Sequence, residues 1–216
     1  MRRAGSRWIA SFFLLWMASP LHADLTLSEK LQPAGGAGPQ RLGLEIAQGK
    51  VRFDSGEVSS IIRTDRKLTY SLLHAEHSYM TLPHDRPVAA AADFPAADSV
   101  EKTGHIQTLQ GLVCREVRIA QPDGTTLVAW VSLDPPARRA VEMLRQCRQD
   151  GLSGFIDGLG CLWPAEKGGA PGLALRCVLL DAAGKPTVQV DVDKLSFDSI
   201  PDEQFEPPPA YRQAAK

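Results

Sequence analysis

Apolar residues recur at every second position through most of this chain, the period of a half-buried strand. Leu25, Leu27 and Leu31 begin a short strand. Leu42, Leu44 and Ile46 continue the pattern, and Val51 and Phe53 repeat it after a turn or bulge at Gly49-Lys50. Glu57 to Arg63 and Leu68-Tyr70-Leu72 form a hairpin around Asp65-Arg66-Lys67, although that turn lacks the favoured Asn-Gly or Asp-Gly pair. Ser78 to Leu82 makes a further short strand. Ile106 to Leu109 and Leu112 to Ala120 flank a Gln110-Gly111 turn, and Pro122-Asp123-Gly124 turns the chain into Thr126 to Leu133. Leu173 to Leu180 and Thr187 to Phe197 close the set, giving nine or ten strands.

The period changes once. Ala137, Ala140, Val141, Leu144 and Cys147 lie at spacings of three and four, one apolar stripe on a helix over 134–150. Asp134 is placed to cap it, with proline in its first turn, and Gly151 ends it. The segment 33–40, rich in glycine, alanine and proline, reads as a flexible linker. The segment 151–172 combines seven glycines with Phe155, Leu159, Leu162 and Trp163, an adaptable backbone with large apolar side chains. Strands joined by short turns pair antiparallel, and a sheet this large must curl, split or close. The expected fold is mainly β (α+β). It is a strongly curved antiparallel sheet forming an open half-barrel, covered by one main helix and the Gly-rich flap. A flat two-layer sandwich is the rival.

The first 23 residues are organised differently. Arg2, Arg3 and Arg7 precede an apolar run from Trp8 to Ala18, then Pro20 and a small residue at Ala23. This is the order of a cleaved secretory signal peptide, and the run is shorter than the ~20 residues needed to span a bilayer. Residues 24–216 then form a single exported domain, expected in the periplasm without a transmembrane anchor. Losing the three arginines takes the formal charge from −1 to −4, a balance with no general attraction for nucleic acid. Four cysteines in an oxidising compartment imply disulfides with three possible connectivities. The most local pairing is Cys147–Cys161.

One series of short segments has a familiar order. It contains Ile61-Ile62-Arg63-Thr64-Asp65 running into Lys67-Leu68-Thr69-Tyr70, then Ser78-Tyr79-Met80, and Thr103-Gly104 leading to Leu109-Gln110-Gly111. Ala129-Trp130-Val131 precedes the helix, and Ile200-Pro201-Asp202-Glu203-Gln204-Phe205-Glu206-Pro207 closes the series. Together they resemble uncharacterised exported bacterial domains of the LolA/LppX-like superfamily of periplasmic lipoprotein carriers, over most of 43–211. The resemblance implies an unclosed antiparallel barrel with a hydrophobic cavity for acyl chains or other apolar ligands, without chemistry. No lipoprotein-binding residue carries across to a numbered position.

Candidate chemistry is sparse. His74, His77 and His84 with Glu76 and Asp85 do not converge, because residues three apart on a strand face opposite ways. They read as a solvated strand end, and no metal or cofactor is expected. No Gly-x-Ser-x-Gly elbow or His-Glu-x-x-His helix occurs, so no catalytic residue is assigned. The cavity candidates are Val113, Arg115, Val117, Ile119, Val188, Val190 and Val192, with Phe155, Leu159, Leu162 and Trp163 as a flap over them. The expected function is a non-enzymatic periplasmic protein that binds a lipid-like or apolar ligand as carrier or sensor. The alternative is a cell-envelope protein–protein interaction module with a filled core, and a third reading is an unrecognised hydrolase.

Overall fold

The computed structural model describes residues 24–36, 38–84, 99–152, 156, 159–161 and 172–214. The leader-like segment 1–23 and three of the flap candidates, Phe155, Leu162 and Trp163, lie outside the described residues. Twelve strands form one open curved sheet. Their ranges are β1 Leu25–Pro33, β2 Gln40–Ala47, β3 Lys50–Asp54, β4 Val58–Arg63, β5 Leu68–Leu73 and β6 Ser78–Pro83. Then come β7 Glu101–Leu109, β8 Leu112–Ala120, β9 Thr126–Ser132, β10 Leu173–Leu180, β11 Pro186–Ser196 and β12 Arg212–Gln213. The helix α1, Pro135–Cys147, lies between β9 and β10.

The strand order is β12-β6-β5-β4-β3-β2-β1-β11-β10-β9-β8-β7. Two antiparallel meanders, β1–β6 and β7–β11, join where β1 pairs with β11, with Leu31 opposite Val190 and Pro33 opposite Val188. Short β12 is the exception, running parallel to β6. Register shifts interrupt β1–β11 at Ser28/Glu29, β9–β10 at Ala174/Arg176, β10–β11 at Leu179/Leu180 and β7–β8 at Lys102/Ile106. Each such bulge bends its strand and raises the local twist, which favours a curved sheet over a flat sandwich.

Turn chemistry explains the hairpins. Gln110 and Gly111 both have positive φ, and Leu109 faces Leu112 across them, a two-residue loop of the type whose twist matches the strands. The Asp65-Arg66-Lys67 turn needs no Asn-Gly pair because it is a four-residue loop, Thr64–Lys67, with only Lys67 in the left-handed region. The expected linker 33–40 is mostly a hairpin connection. Pro33 ends β1, Gln40 opens β2, and Ala34 N donates to Thr187 O at 2.8 Å.

The predicted stripe is the buried face of α1: Ala137, Ala140, Val141, Leu144 and Cys147. It packs with Leu25, Leu27, Leu44, Ile46, Val51, Ile62, Leu173, Leu175 and Val192 in the main core. Asp134 does not cap the helix with its side chain. Its Oδ2 accepts the backbone N–H of Val113 at 2.8 Å and ties the helix start to β8. The helix ends in a π turn at Arg148–Leu152 rather than at Gly151 alone. Among the described residues, no helix is long and apolar enough to cross a membrane.

The tail covers a second core. Phe205 is fully buried with Ala47, Ile61 and Leu72, flanked by Tyr70, Tyr79, Ile200 and Tyr211. Because Ile61 and Ile62 alternate, β4 is buried on both sides, against the tail and against the main core. The Cys147–Cys161 bridge is not formed. All four cysteines are buried reduced thiols.

Candidate functional site

The β2–β3 hairpin and one flank of α1 enclose an apolar pocket. Ile46 pairs with Val51 across the hairpin, so both side chains leave the same face. The loop at Gln48-Gly49 is held in place, because the Gly49 carbonyl accepts both the N–H of Thr64 at 2.9 Å and its Oγ1 hydroxyl at 2.8 Å. Gly49 has φ +68°, and a Cβ there would come 3.2 Å from Thr64 Oγ1, so glycine suits both backbone and space. Opposite the hairpin, Met143, Gln146 and Cys147 share a helix flank by their spacing, and Leu152 follows after the π turn. Together these residues line a cavity of about 310 Å³, the lower end of the range for small-molecule sites.

Its walls are Ile46, Ala47, Val51, Met143, Cys147 and Leu152, with Gln48, Lys50, Thr64 and Gln146 as the polar members. Lys50 is the charged one. Its ammonium pairs with Asp202 and sits 5.4 Å from the Phe205 ring centre, so its charge is engaged by the tail. That contact, led by the Lys50 hydrogen bond, holds the Asp202 carboxyl below its ordinary value.

The tail is fastened along its length. Arg63, 3 % exposed, donates to Asp65 at 2.8 and 2.9 Å and to Glu206 at 2.5 Å. The Asp65 hydrogen bond holds this guanidinium charged and draws the Asp65 carboxyl down. Arg52 donates to the Gln204 carbonyl at 3.0 Å.

Further along, Asp54, Ser59, His74 and Tyr211 form a hydrogen-bonded chain, with Ser59 Oγ 2.5 Å from His74 Nε2 and His74 Nδ1 2.7 Å from the Tyr211 hydroxyl. These residue types invite comparison with a nucleophile triad, but the wiring differs. Asp54 meets the serine rather than the histidine, and Ser59 is fully buried. The chain anchors Tyr211. His74 is therefore a tail-binding residue and not simply a solvated strand end. Among the described residues, no group of three or more His, Cys, Asp or Glu could hold a metal ion.

A buried carboxylate lies on β1, at the seam of the two meanders. Glu29 is fully buried, and its two oxygens accept the backbone N–H groups of Cys161 at 2.7 Å and Gly160 at 3.0 Å. Burial pushes its carboxyl above the ordinary value, and the hydrogen bonds from Cys161 and Gly160 only partly offset this. It fixes the turn that approaches Val190 beneath Gly160.

The cavity candidates read from sequence lie elsewhere. Val113 is 47 % exposed and Arg115 is exposed too. Burial along β8 switches faces, from Cys114 and Glu116 to Val117 and Ile119. One strand with uniform alternation thus has different cover at its two ends. Val117 and Ile119 pack with Ala129, Ala174 and Cys177 in a small core that Val190 flanks. Val188 is half-buried, while Val192 and Leu159 belong to the main core. None of them lines the pocket under α1.

The profile of a domain of unknown function, DUF4412, matches residues 37–211. The chain belongs to that family. No curated protein sequence matches this DUF4412 chain. Among solved structures, an uncharacterized conserved protein from Thermus thermophilus is similar, with 10% identity, 90% of this chain and 91% of that chain covered, and a TM-score of 0.45. The Pseudomonas aeruginosa MucA/MucB complex is similar with 10% identity, coverage of 87% and 56%, and a TM-score of 0.43, so the DUF4412 chain spans just over half of that neighbour's length. A putative outer membrane lipoprotein-sorting protein domain from Vibrio parahaemolyticus gives 8% identity, coverage of 85% and 89%, and a TM-score of 0.28.

Proposed function

We propose that this protein is an exported, non-catalytic binding protein that holds a lipid-like or other apolar ligand between α1 and the β2–β3 hairpin. The observation that carries this reading is the cavity of about 310 Å³ walled by Ile46, Val51, Met143 and Leu152. Apolar walls with a few polar groups are the usual composition of a small-molecule site. In this reading the curved sheet is a half-barrel and α1 is its cover.

Export is supported by the charge, apolar run and small residue within 1–23. A soluble pocket for apolar cargo is useful where that cargo must cross an aqueous space, which fits the periplasm. The absence of chemistry is supported by the wiring of Ser59, which meets Asp54 and His74, and of His74, whose other nitrogen meets the Tyr211 hydroxyl of the tail. Native mass spectrometry of protein purified from the periplasm of an exporting host tests the proposal. A bound mass that organic solvent releases as a lipid supports it. Bare protein that co-purifies instead with an envelope protein contradicts it and favours an interaction module.

A further inference from the structure

We propose that Cys161 and Cys177 are a disulfide-forming pair, distinct from the local Cys147–Cys161 pairing that spacing alone favours. Cys177 Sγ lies 3.3 Å from the carbonyl oxygen of Gly160, the residue joined to Cys161. Cys161 in turn accepts the Ala174 N–H at its own carbonyl, at 2.9 Å, so its backbone is docked on β10, the strand that carries Cys177. Glu29 clamps the same turn through the Gly160 and Cys161 amides. Cys147 lines the pocket on the flank of α1 and packs, like Cys161, into the main core. Disulfides need their two Cα atoms within about 7 Å, and the contact of Cys177 Sγ with the carbonyl of the residue before Cys161 points to such an approach.

The chemistry is thiol–disulfide exchange with a disulfide oxidant, for which oxidised glutathione serves. One cysteine thiolate, having lost its proton to solvent, attacks the glutathione disulfide and expels one glutathione thiolate. The second protein thiolate attacks the mixed disulfide and expels the other. Two protein thiols and one glutathione disulfide become one protein disulfide and two glutathione thiols. In the folded chain both thiols resist ionisation. Burial pushes Cys177 up to about 12, with Glu29 adding to it, and burial likewise raises Cys161. The bond therefore forms while the chain folds, before the turn is sealed. This pairing does not depend on the ligand-binding reading, and it meets its oxidant in the compartment that the export reading names.

The test is refolding of the full chain from denaturant in a glutathione redox buffer, then alkylation, proteolysis without reduction and mass spectrometry. The expected product is a cross-linked peptide joining Cys161 to Cys177. Oxidised protein should melt roughly 6–12 °C above reduced protein, as closing a loop of about 15 residues implies for a domain of this size. Cys177→Ala and Cys177→Ser should each lose that difference. A Cys147–Cys161 link, or alkylation of both Cys161 and Cys177 in the oxidised and folded product, overturns the proposal. Because the oxidant is supplied in the tube, the outcome is independent of where the protein resides in the cell.

Discussion

Replacing Glu29 with alanine is the sharpest probe of how the turn after α1 is held. The side chain is fully buried, and its two oxygens accept separate backbone N–H groups, Cys161 at 2.7 Å and Gly160 at 3.0 Å. Alanine leaves both amides without this acceptor, at about 1–3 kcal/mol each. Removing a desolvated carboxylate offsets part of that loss, so the net cost is about 2–4 kcal/mol, a large share of the 5–15 kcal/mol typical of a domain. Glu29→Gln is the control, since it keeps the shape and one carbonyl oxygen and should lose less than half as much. The assay is urea unfolding at neutral pH followed by tryptophan fluorescence, with unchanged slopes confirming that only stability moved. An alanine variant within 0.5 kcal/mol of the wild type refutes the reasoning, as does a glutamine variant that is equally damaged.

The same carboxyl predicts a pH effect of definite sign. Its folded value is raised, so the folded state binds its proton more tightly than the unfolded chain does. That contribution is complete below the unfolded value of about 4.5 and is lost as pH rises through the folded value. The stability difference between wild type and Glu29→Gln, measured by unfolding across this range, should shift toward the variant as pH rises, and a flat difference excludes the effect. Phe205→Ala should cost about 3–5 kcal/mol in the same assay, because the ring is fully buried among Ala47, Ile61 and Leu72. Arg63→Met should cost about 1–3 kcal/mol, less than a fully buried pair because Asp65 and Glu206 are 41% and 33% exposed. Val113→Ser, at an exposed position, should stay within 0.5 kcal/mol of the wild type and leave binding of an acyl probe unchanged.

The elements that were legible in the sequence are those with a clean period. The stripe Ala137–Cys147 and the alternation of Leu42, Leu44 and Ile46 depend only on spacing; the stripe, Leu44 and Ile46 are buried and Leu42 is half-buried. Strands with local irregularities were harder to read. In β7 only Ile106–Leu109 carries apolar residues to read, since 101–105 are polar or glycine and a register shift interrupts the strand. The pocket was not legible, since Met143 and Gln146 lie off the apolar stripe and meet a hairpin about a hundred residues earlier in the chain. The roles of Glu29 and His74 were hidden for the same reason. Their partners, Gly160-Cys161 and Tyr211, are brought to them only by long-range pairing. Val113 and Arg115 show the opposite error, in which correct alternation did not reveal which end of a strand is covered.

The proposed function places an apolar ligand in the space under α1. Fluorescence titration of the full chain with an acyl-chain probe, compared between wild type and Met143→Trp, tests it most directly. Tryptophan at this half-buried lining position fills the cavity while the apolar stripe of α1 stays intact. The wild type should bind saturably, and the variant at least tenfold more weakly with an unfolding midpoint close to the wild type's. Saturable binding of equal strength in both, or none in the wild type, contradicts the proposal.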